Sequence, residues 1–257
     1  MKKVARNNYS DYINYANSVT YGKVYPVSIS EGIQAGDIYI DCEKNCQSIL
    51  FWHHCGFAFL LGKCDTSFLE DVYELMQNKD NTNPRRFILF SNDKHIADFF
   101  GAKNNTVIER RYFFEYLQKR TDFDHILPAG FELKEIDARL LSTINGRITP
   151  SFSWDNPNDF FDYGKGYCIV HEGKAAAWAF SSASSSKEID IGIETNINYR
   201  HRGFAAIVAD AMLQYTLSEG KTPVWACHYE NISSQKLAEK IEFVKTSECL
   251  TIKIKED

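Results

Sequence analysis

The stretch EIDIGIETNINYRHRGFAAIVADAML, residues 188–213, joins two kinds of hydrophobic pattern. Its first part has apolar residues at alternate positions, which predicts a β-strand, and its last part has them at the spacing of one helix face. Between the two lie three consecutive basic residues, a glycine and several small residues. The sequence therefore predicts a strand and a helix that are joined by a short, basic, glycine-containing loop.

This loop has the chemistry of an anion-binding site. A helix N-terminus presents backbone N–H groups that lack acceptors within the helix, together with a partial positive charge. Gly203, Ala205 and Ala206 allow a close approach to that backbone, and Arg200 and Arg202 add positive charge. We interpret the loop as a pyrophosphate site; an ordinary helix start with solvated charges is the alternative that these residues leave open.

The composition is that of a soluble globular protein. Of the 257 residues, 44% are hydrophobic and 25% are charged, and the formal net charge of −5 argues against a nucleic-acid-binding protein. The N-terminus lacks the pattern of a secretory signal, and the most apolar run, residues 49–62, is too short for a membrane span. The cysteines lack the spacing of a disulfide scaffold, which predicts reduced thiols. We therefore expect a cytoplasmic protein that binds no nucleic acid and no membrane.

The pattern along the chain predicts two domains. Residues 1–125 combine short strands and helices and are predicted to form an N-terminal α/β accessory domain. Pro128 and Gly130 interrupt the pattern near the predicted boundary. Residues 126–257 contain antiparallel strands followed by the order strand–helix–strand–helix–strand, which indicates an α+β domain with a mixed sheet.

A second motif, NISSQKLAEKIEF, occupies residues 231–243 and is predicted to be a helix that Asn231 caps. Together with YRHRGFAA it resembles the two signatures of the GCN5-related N-acetyltransferase (GNAT) superfamily, and the chain resembles its two-domain bacterial type. Arg200, Gly203 and Ala205 match the family's pyrophosphate loop, which is Arg or Gln, two residues, Gly, one residue, then Gly or Ala. The residues that match the second signature are Asn231, Ser234, Leu237, Glu239, Lys240 and Phe243.

The resemblance implies a GNAT fold for residues 126–257, a central and mostly antiparallel mixed sheet flanked by helices, and allows residues 1–125 to be a degenerate copy. It implies N-acyltransferase activity with acetyl-CoA or another acyl-CoA as co-substrate and a small-molecule or protein amine as acceptor. The pantetheine arm would pair with the predicted strand, and the pyrophosphate would lie on the loop amides. The residues that it assigns to cofactor binding are Ile193, Glu194, Thr195, Arg200, His201, Arg202, Gly203, Phe204, Ala205, Ala206, Asn231 and Ser234.

Acyl transfer to an amine needs a group that takes the ammonium proton. Alternation along the predicted strand places Glu188, Asp190, Gly192 and Glu194 on one face. We predict Glu194 as the base in preference to Asp190, because it lies nearer the end that would hold the pantetheine. A solvated charge on a half-exposed strand is the alternative for each.

The general acid is where the chain departs from the family. Many members have a tyrosine that protonates the leaving thiolate, but Ala238 stands at the matching position here. Tyr229 is the candidate replacement, followed by His228 and Cys227, and packing or loop roles are their alternatives. A catalytically inactive CoA-binding sensor or interaction module is therefore the second functional hypothesis. The acceptor, the acyl preference and the oligomeric state stay open.

Two other patterns are set aside. The segment EGKTP has Tyr215 where a phosphate-binding P-loop needs its earlier glycine. The Cys and His residues between Cys42 and Cys64 lack a second ligand pair at the spacing of a structural zinc site. We therefore expect no metal.

Overall fold

The computed structural model describes residues 1–77, 85–117 and 126–255. The chain divides into a first unit, Met1–Phe113 with Ser247–Asp257, and a second unit, Phe114–Thr246. The end of the chain thus belongs to the first unit, although the sequence pattern groups it with the second domain. The predicted boundary between residues 125 and 126 borders a segment outside the described residues and stays a prediction.

The first unit is built around a sheet with helices packed on it. Its strands are β1 (Lys2–Lys3), β2 (Gly36–Ile40), β3 (Ser48–His53), β4 (Phe57–Gly62), β5 (Ile88–Phe90), most of β6 (Thr106–Tyr116) and, from Ser247, the last strand β12 (Phe243–Ile254). Its helices are α1 (Ile13–Asn17), α2 (Val24–Ser30), α3 (Thr66–Gln77) and α4 (Lys94–Gly101), after a 3-10 helix at Arg6–Tyr12.

In the first unit, β1 to β4 pair antiparallel in chain order, β5 is parallel to β4, and β12 is antiparallel to β5. The amphipathic helices α3 and α4 bury Leu69, Val72 and Phe100 against Leu50 and Ile252 of the sheet. Burying this apolar surface is the main stabilising contribution to the unit.

The second unit has the same kind of architecture. Its strands are β7 (Phe131–Glu135), β8 (Gly166–His171), β9 (Lys174–Ser184), β10 (Glu188–Thr195) and β11 (Thr222–His228), with the first residues of β12 and the last of β6. Its helices are α5 (Ala138–Leu141), α6 (Pro150–Ser153), α7 (Pro157–Tyr163), α8 (Phe204–Ser218) and α9 (Ile232–Lys240), with a 3-10 helix at Ile197–Tyr199.

Strands β7 to β10 pair antiparallel in chain order, and β11 is parallel to β10. The parallel register runs from Glu188 opposite Thr222 to Asp190 opposite Val224, so the described parts of the two strands pair only at their N-terminal ends. Beyond Asp190, β10 keeps its pairing with β9, and the described residues pair with β10 no further along the edge that faced β11. The strands therefore diverge at the level where the cavity described below begins.

The predicted α+β fold is confirmed, with a mixed sheet and flanking helices. Helix α8 packs on β8, β9 and β10, and it buries residues on more than one face, including Asp210, which is 7% exposed. Both units share one order of elements: antiparallel strands, a parallel pair, and a helix after each strand of that pair.

Candidate active site

A cavity of about 690 Å³ lies in the second unit where β10 and β11 diverge. Its walls are the C-terminal end of β10, the loop before α8, the first turn of α8, and one side of α9. The lining residues are Ile193, Glu194, Thr195, Tyr199, Arg200, His201, Gly203, Phe204, Ala205, Ala206, Asn231, Ser233, Ser234, Leu237 and Lys240. All residues predicted to bind the cofactor are in this lining except Arg202.

The loop before α8 contains two residues with left-handed backbone conformation, His201 with φ 62° and Gly203 with φ 80°. Glycine adopts this region without steric cost, whereas it is uncommon for other residues. A Cβ atom placed on Gly203 would meet nothing within 4 Å. The glycine is therefore required by the backbone conformation, and it also leaves the backbone open to the close approach of a ligand.

The N-terminus of α8 opens into the cavity without a side-chain cap. The N–H of Ala206 donates to the carbonyl of Gly203 at 3.1 Å, while the preceding N–H groups at the helix start have no acceptor within the helix. The fifteen-residue helix adds a partial positive charge at this end. This arrangement suits a bound anion.

Positive side chains line the cavity on two walls. Arg200 follows the 3-10 helix, and its Nε donates to the carbonyl of Thr195 at 3.4 Å, while Lys240 is the last residue of α9. The guanidinium of Arg202 lies instead over the rings of Tyr199 and Phe131, at 5.5 and 5.9 Å. Of the two predicted arginines, the structure thus brings Arg200 to the cavity and turns Arg202 onto aromatic rings.

Asn231 and Ser234 hold the start of α9 at the cavity. The Asn231 side chain accepts a hydrogen bond from the Ser234 N–H at 3.1 Å, which confirms the predicted helix cap. The indole N–H of Trp225 donates to the Ser234 hydroxyl at 3.1 Å. The carbonyl oxygen of Asn231 thus has a structural role, and the side-chain NH₂ is the remaining donor for a ligand.

Glu194 lines the cavity and is held by a loop of the same unit. Its Oε2 accepts the N–H of Ile148 at 2.7 Å, and the indole of Trp178, the residue opposite Glu194 on β9, donates to the Ile148 carbonyl at 2.7 Å. Gly146 of the same loop packs so closely that an added Cβ would overlap with Oε2. The carboxylate therefore has a defined position at the cavity wall.

Asp190 is placed differently from Glu194. It is 4% exposed and belongs to the part of β10 that still pairs with β11, opposite Val224. A register shift in the pairing with β9 follows it directly. The cavity lining formed by the described residues does not include Asp190.

The candidate acids also lie away from the lining formed by the described residues, which includes none of Tyr229, His228 and Cys227. The Tyr229 hydroxyl donates to Glu230 at 2.8 Å, and Cys227 is buried. Ala238, at the place of the family tyrosine, is fully buried in α9.

Four lining residues were not predicted as ligands: Tyr199, Ser233, Leu237 and Lys240. Leu237 and Lys240 were matched to the second signature, and helical spacing places them on one face with Ser233. That spacing was the signal available in the sequence. No sequence spacing indicated Tyr199, because its place at the cavity depends on the 3-10 helix at Ile197–Tyr199.

Two further properties concern metal binding and membrane spans. No group of three or more His, Cys, Asp or Glu in residues 1–77, 85–117 and 126–255 is arranged to hold a metal ion. No described helix is long and apolar enough to cross a membrane.

Comparisons with known proteins agree with this geometry. A family model described as GNAT acetyltransferase matches residues 20–251. The "Uncharacterized N-acetyltransferase YdfB" of Bacillus subtilis (strain 168) is 25% identical over 235 residues, which cover 89% of each chain. The chain therefore belongs to the GNAT acetyltransferase family, whose members use an acyl-CoA co-substrate and act on amine acceptors, and this supports acyltransferase activity.

Solved structures show the same fold. A GCN5-related N-acetyltransferase-like protein from Streptococcus suis 89/1591 matches with a TM-score of 0.76 and 23% identity, over 98% of this chain and 100% of that chain. A tandem GNAT protein from the clavulanic acid biosynthesis pathway, solved without AcCoA, matches with a TM-score of 0.63 and 12% identity, over 99% and 98% of the two chains. The GNAT-type fold thus extends over nearly the whole chain.

Proposed function

We propose that this protein transfers an acetyl group from acetyl-CoA to the amine of an acceptor, by direct attack of the amine on the thioester. The observation that carries the proposal is the cavity of the second unit, which combines the N-terminus of α8 with the uncovered edge of β10. The first feature suits a pyrophosphate, and the second suits an extended amide chain.

The cofactor would lie across both features. Its pyrophosphate accepts hydrogen bonds from the amides at the start of α8, next to the positive charge of Arg200 and Lys240. Its pantetheine arm adds to β10 along Ile193–Thr195, where β9 covers only the other edge. The NH₂ group of Asn231 is a donor for the pantetheine or the phosphates. Arg202 acts on the loop conformation rather than as a direct ligand.

The chemistry assigned to the cavity needs one base. The amine nitrogen forms the new C–N bond, the C–S bond breaks, and the ammonium proton passes to the carboxylate of Glu194 directly or through water. The carboxylate is positioned through Oε2 by Ile148, so Oε1 is the atom that receives the proton. Asp190, buried beside the point of divergence, is the second candidate base.

Protonation of the thiolate needs modest assistance, because a free thiol has a pKa of about 8.5. Tyr229 remains the candidate acid from the sequence. In the described structure its hydroxyl is bonded to Glu230, so this role requires the ring to turn toward the cavity.

A CoA-binding module without transfer activity is the second candidate function. The observation that favours it is the buried Ala238 at the position of the family tyrosine, together with the placement of Tyr229 outside the lining. Both candidates bind acyl-CoA, and only the first consumes the thioester.

We also propose that the first unit is a degenerate copy of the second. Both have the same order of elements, and one similar structure is named a tandem GNAT protein. At the start of α3, however, the carboxylate of Asp65 accepts the N–H of Phe68 at 2.9 Å. The start of α3 in the first unit corresponds to the start of α8 in the second. The Asp65 carboxylate caps the first of these helices, whereas the second has no side-chain cap.

The test separates binding from transfer. Acetyl-CoA, propionyl-CoA and succinyl-CoA are incubated with amines of several classes. Acylated amine and free CoA are quantified by mass spectrometry, because the accessible free cysteines Cys42 and Cys46 would react with thiol reagents. Amine-dependent acylation supports the transferase. Binding of acyl-CoA without turnover of any amine supports the binding module.

A further inference from the structure

Three side chains of the loop at residues 199–204 and two side chains of neighbouring strands form an aromatic cluster in the second unit. The cluster consists of Phe131 of β7, His171 of β8, Tyr199, Arg202 and Phe204. Phe131 is its centre: its ring lies 4.2 Å from that of His171, 5.9 Å from Tyr199 and 4.8 Å from Phe204. The guanidinium of Arg202 lies over both Phe131 and Tyr199.

The three loop members of the cluster flank the two residues with left-handed backbone. Tyr199 precedes the left-handed His201, Arg202 lies between His201 and Gly203, and Phe204 follows Gly203. A left-handed residue other than glycine persists where its surroundings determine its conformation. Here Tyr199 and Phe204, on either side of His201, both pack on Phe131, and the antiparallel register of β7 and β8 places Phe131 directly opposite His171.

We propose that Phe131 is a positioning residue that holds the loop at residues 199–204 in its anion-binding conformation before acyl-CoA arrives. This proposal rests on the proposed function of the cavity, since the loop is its anion-binding wall. A loop that is ordered in advance loses less conformational freedom on binding, so the cluster acts on cofactor affinity. Phe131 is not part of the lining formed by the described residues, so it acts through Tyr199, Arg202 and Phe204.

The first test measures kinetics. Phe131→Ala is expected to raise the KM for acyl-CoA by about fivefold to tenfold, with kcat at saturating acyl-CoA nearly unchanged. Phe131→Tyr keeps the ring and is expected to restore a KM near that of the wild type. Phe161→Ala is the matched control, because Phe161 also contacts another phenylalanine ring in this unit but is 40% exposed and lies in α7.

The second test does not depend on acyl-CoA. Arg200 and Arg202 are trypsin sites, and cleavage there requires the loop to open. In ligand-free protein, Phe131→Ala is expected to be cut at these arginines about fivefold faster than the wild type, and Phe161→Ala at the wild-type rate. If Phe131→Ala does not fold, Phe131→Leu, which keeps apolar volume without the ring, is measured in the same way.

The outcomes are distinguishable. A folded Phe131→Ala with unchanged tryptic cleavage and unchanged KM would overturn the positioning role. If the wild type binds no acyl-CoA, the proposed function fails, while faster cleavage of Phe131→Ala would still establish that the cluster holds the loop. A fall in kcat without a change in KM would also contradict the proposal.

Discussion

The carboxylate of Glu194 accepts a hydrogen bond from the backbone N–H of Ile148 at 2.7 Å, across 46 residues of sequence. The carbonyl of the same Ile148 accepts the indole N–H of Trp178, which stands opposite Glu194 in the sheet. One residue of the loop between α5 and α6 is thus bonded to both members of a cross-strand pair. This contact gives Glu194 a fixed orientation at the cavity, which a positioned base requires.

We expect Glu194→Gln to reduce kcat by about 10²-fold to 10⁴-fold, because an amide still accepts the Ile148 N–H but cannot take the ammonium proton. The melting temperature and the affinity for acetyl-CoA should change little. Steady-state kinetics with acetyl-CoA and a reactive amine provide the measurement. Glu188→Gln, on the same strand but outside the described lining, is the control.

A Glu194→Gln enzyme with wild-type kcat would contradict the assignment. If Asp190→Asn then lost activity while remaining folded, the base would be Asp190. Comparing the two variants therefore decides between the two carboxylates.

Gly146→Ala should destabilise the second unit by about 1–3 kcal/mol, because the added methyl group cannot fit beside Glu194 and Trp178 without displacing the loop. Adding Glu194→Ala should recover part of this loss by making room, which a double-mutant cycle of unfolding free energies measures. Gly101→Ala is the control, because its Cβ would meet only Ile108, at 3.6 Å. Strictly additive effects of the two substitutions would exclude a direct clash.

The features that local sequence chemistry determines were predicted. The change of hydrophobic period at Arg200 predicted the strand–loop–helix, and the chemistry of Asn231 predicted the cap of α9. The remaining features depend on contacts between distant residues. No local sequence pattern indicates three of them: the divergence of β10 from β11, the hydrogen bond from Ile148 to Glu194, and the contact of Arg202 with Phe131.

The same reason explains the position of the last strand. Thr251 of β12 pairs with Phe90 in the first unit, and an alternating strand pattern does not indicate which partner it will have. The exposure of Tyr229 and its bond to Glu230 likewise depend on the geometry of the turn after β11 rather than on residue type.

The first unit should lose stability in mild acid because of His53. Burial lowers the pKa of its imidazole from 6.5 to about 3, so between these pH values the unfolded chain binds a proton that the folded chain does not. The free energy of unfolding should therefore fall by roughly 1.4 kcal/mol for each pH unit below about 6.5. Denaturant unfolding at a series of pH values measures the slope.

His53→Asn should remove most of this slope, although the variant is less stable at neutral pH. His95→Asn, at an exposed position of α4, should leave the slope unchanged. An equal pH dependence in the wild type and in His53→Asn would mean that other groups control the acid response.

Acetyl-CoA should bind with a stoichiometry of one per chain. The start of α3 in the first unit is capped by the carboxylate of Asp65, which repels a phosphate, whereas the start of α8 has no side-chain cap. Isothermal titration calorimetry measures the stoichiometry directly. Two equivalents per chain would show that the first unit retains a cofactor site.

Binding of acetyl-CoA at the start of α8 is tested most directly by a calorimetric titration of the wild type, Gly203→Glu and Gly220→Glu. Both glycines have positive φ and open space around a Cβ, and Gly220 lies beyond the opposite end of α8, so the two variants carry matched backbone strain and charge. We predict saturable binding to the wild type and to Gly220→Glu, and binding at least about 100-fold weaker to Gly203→Glu, because its carboxylate repels the pyrophosphate. Equal affinity of the two variants, or no binding to the wild type, would contradict the assignment of this cavity to acyl-CoA.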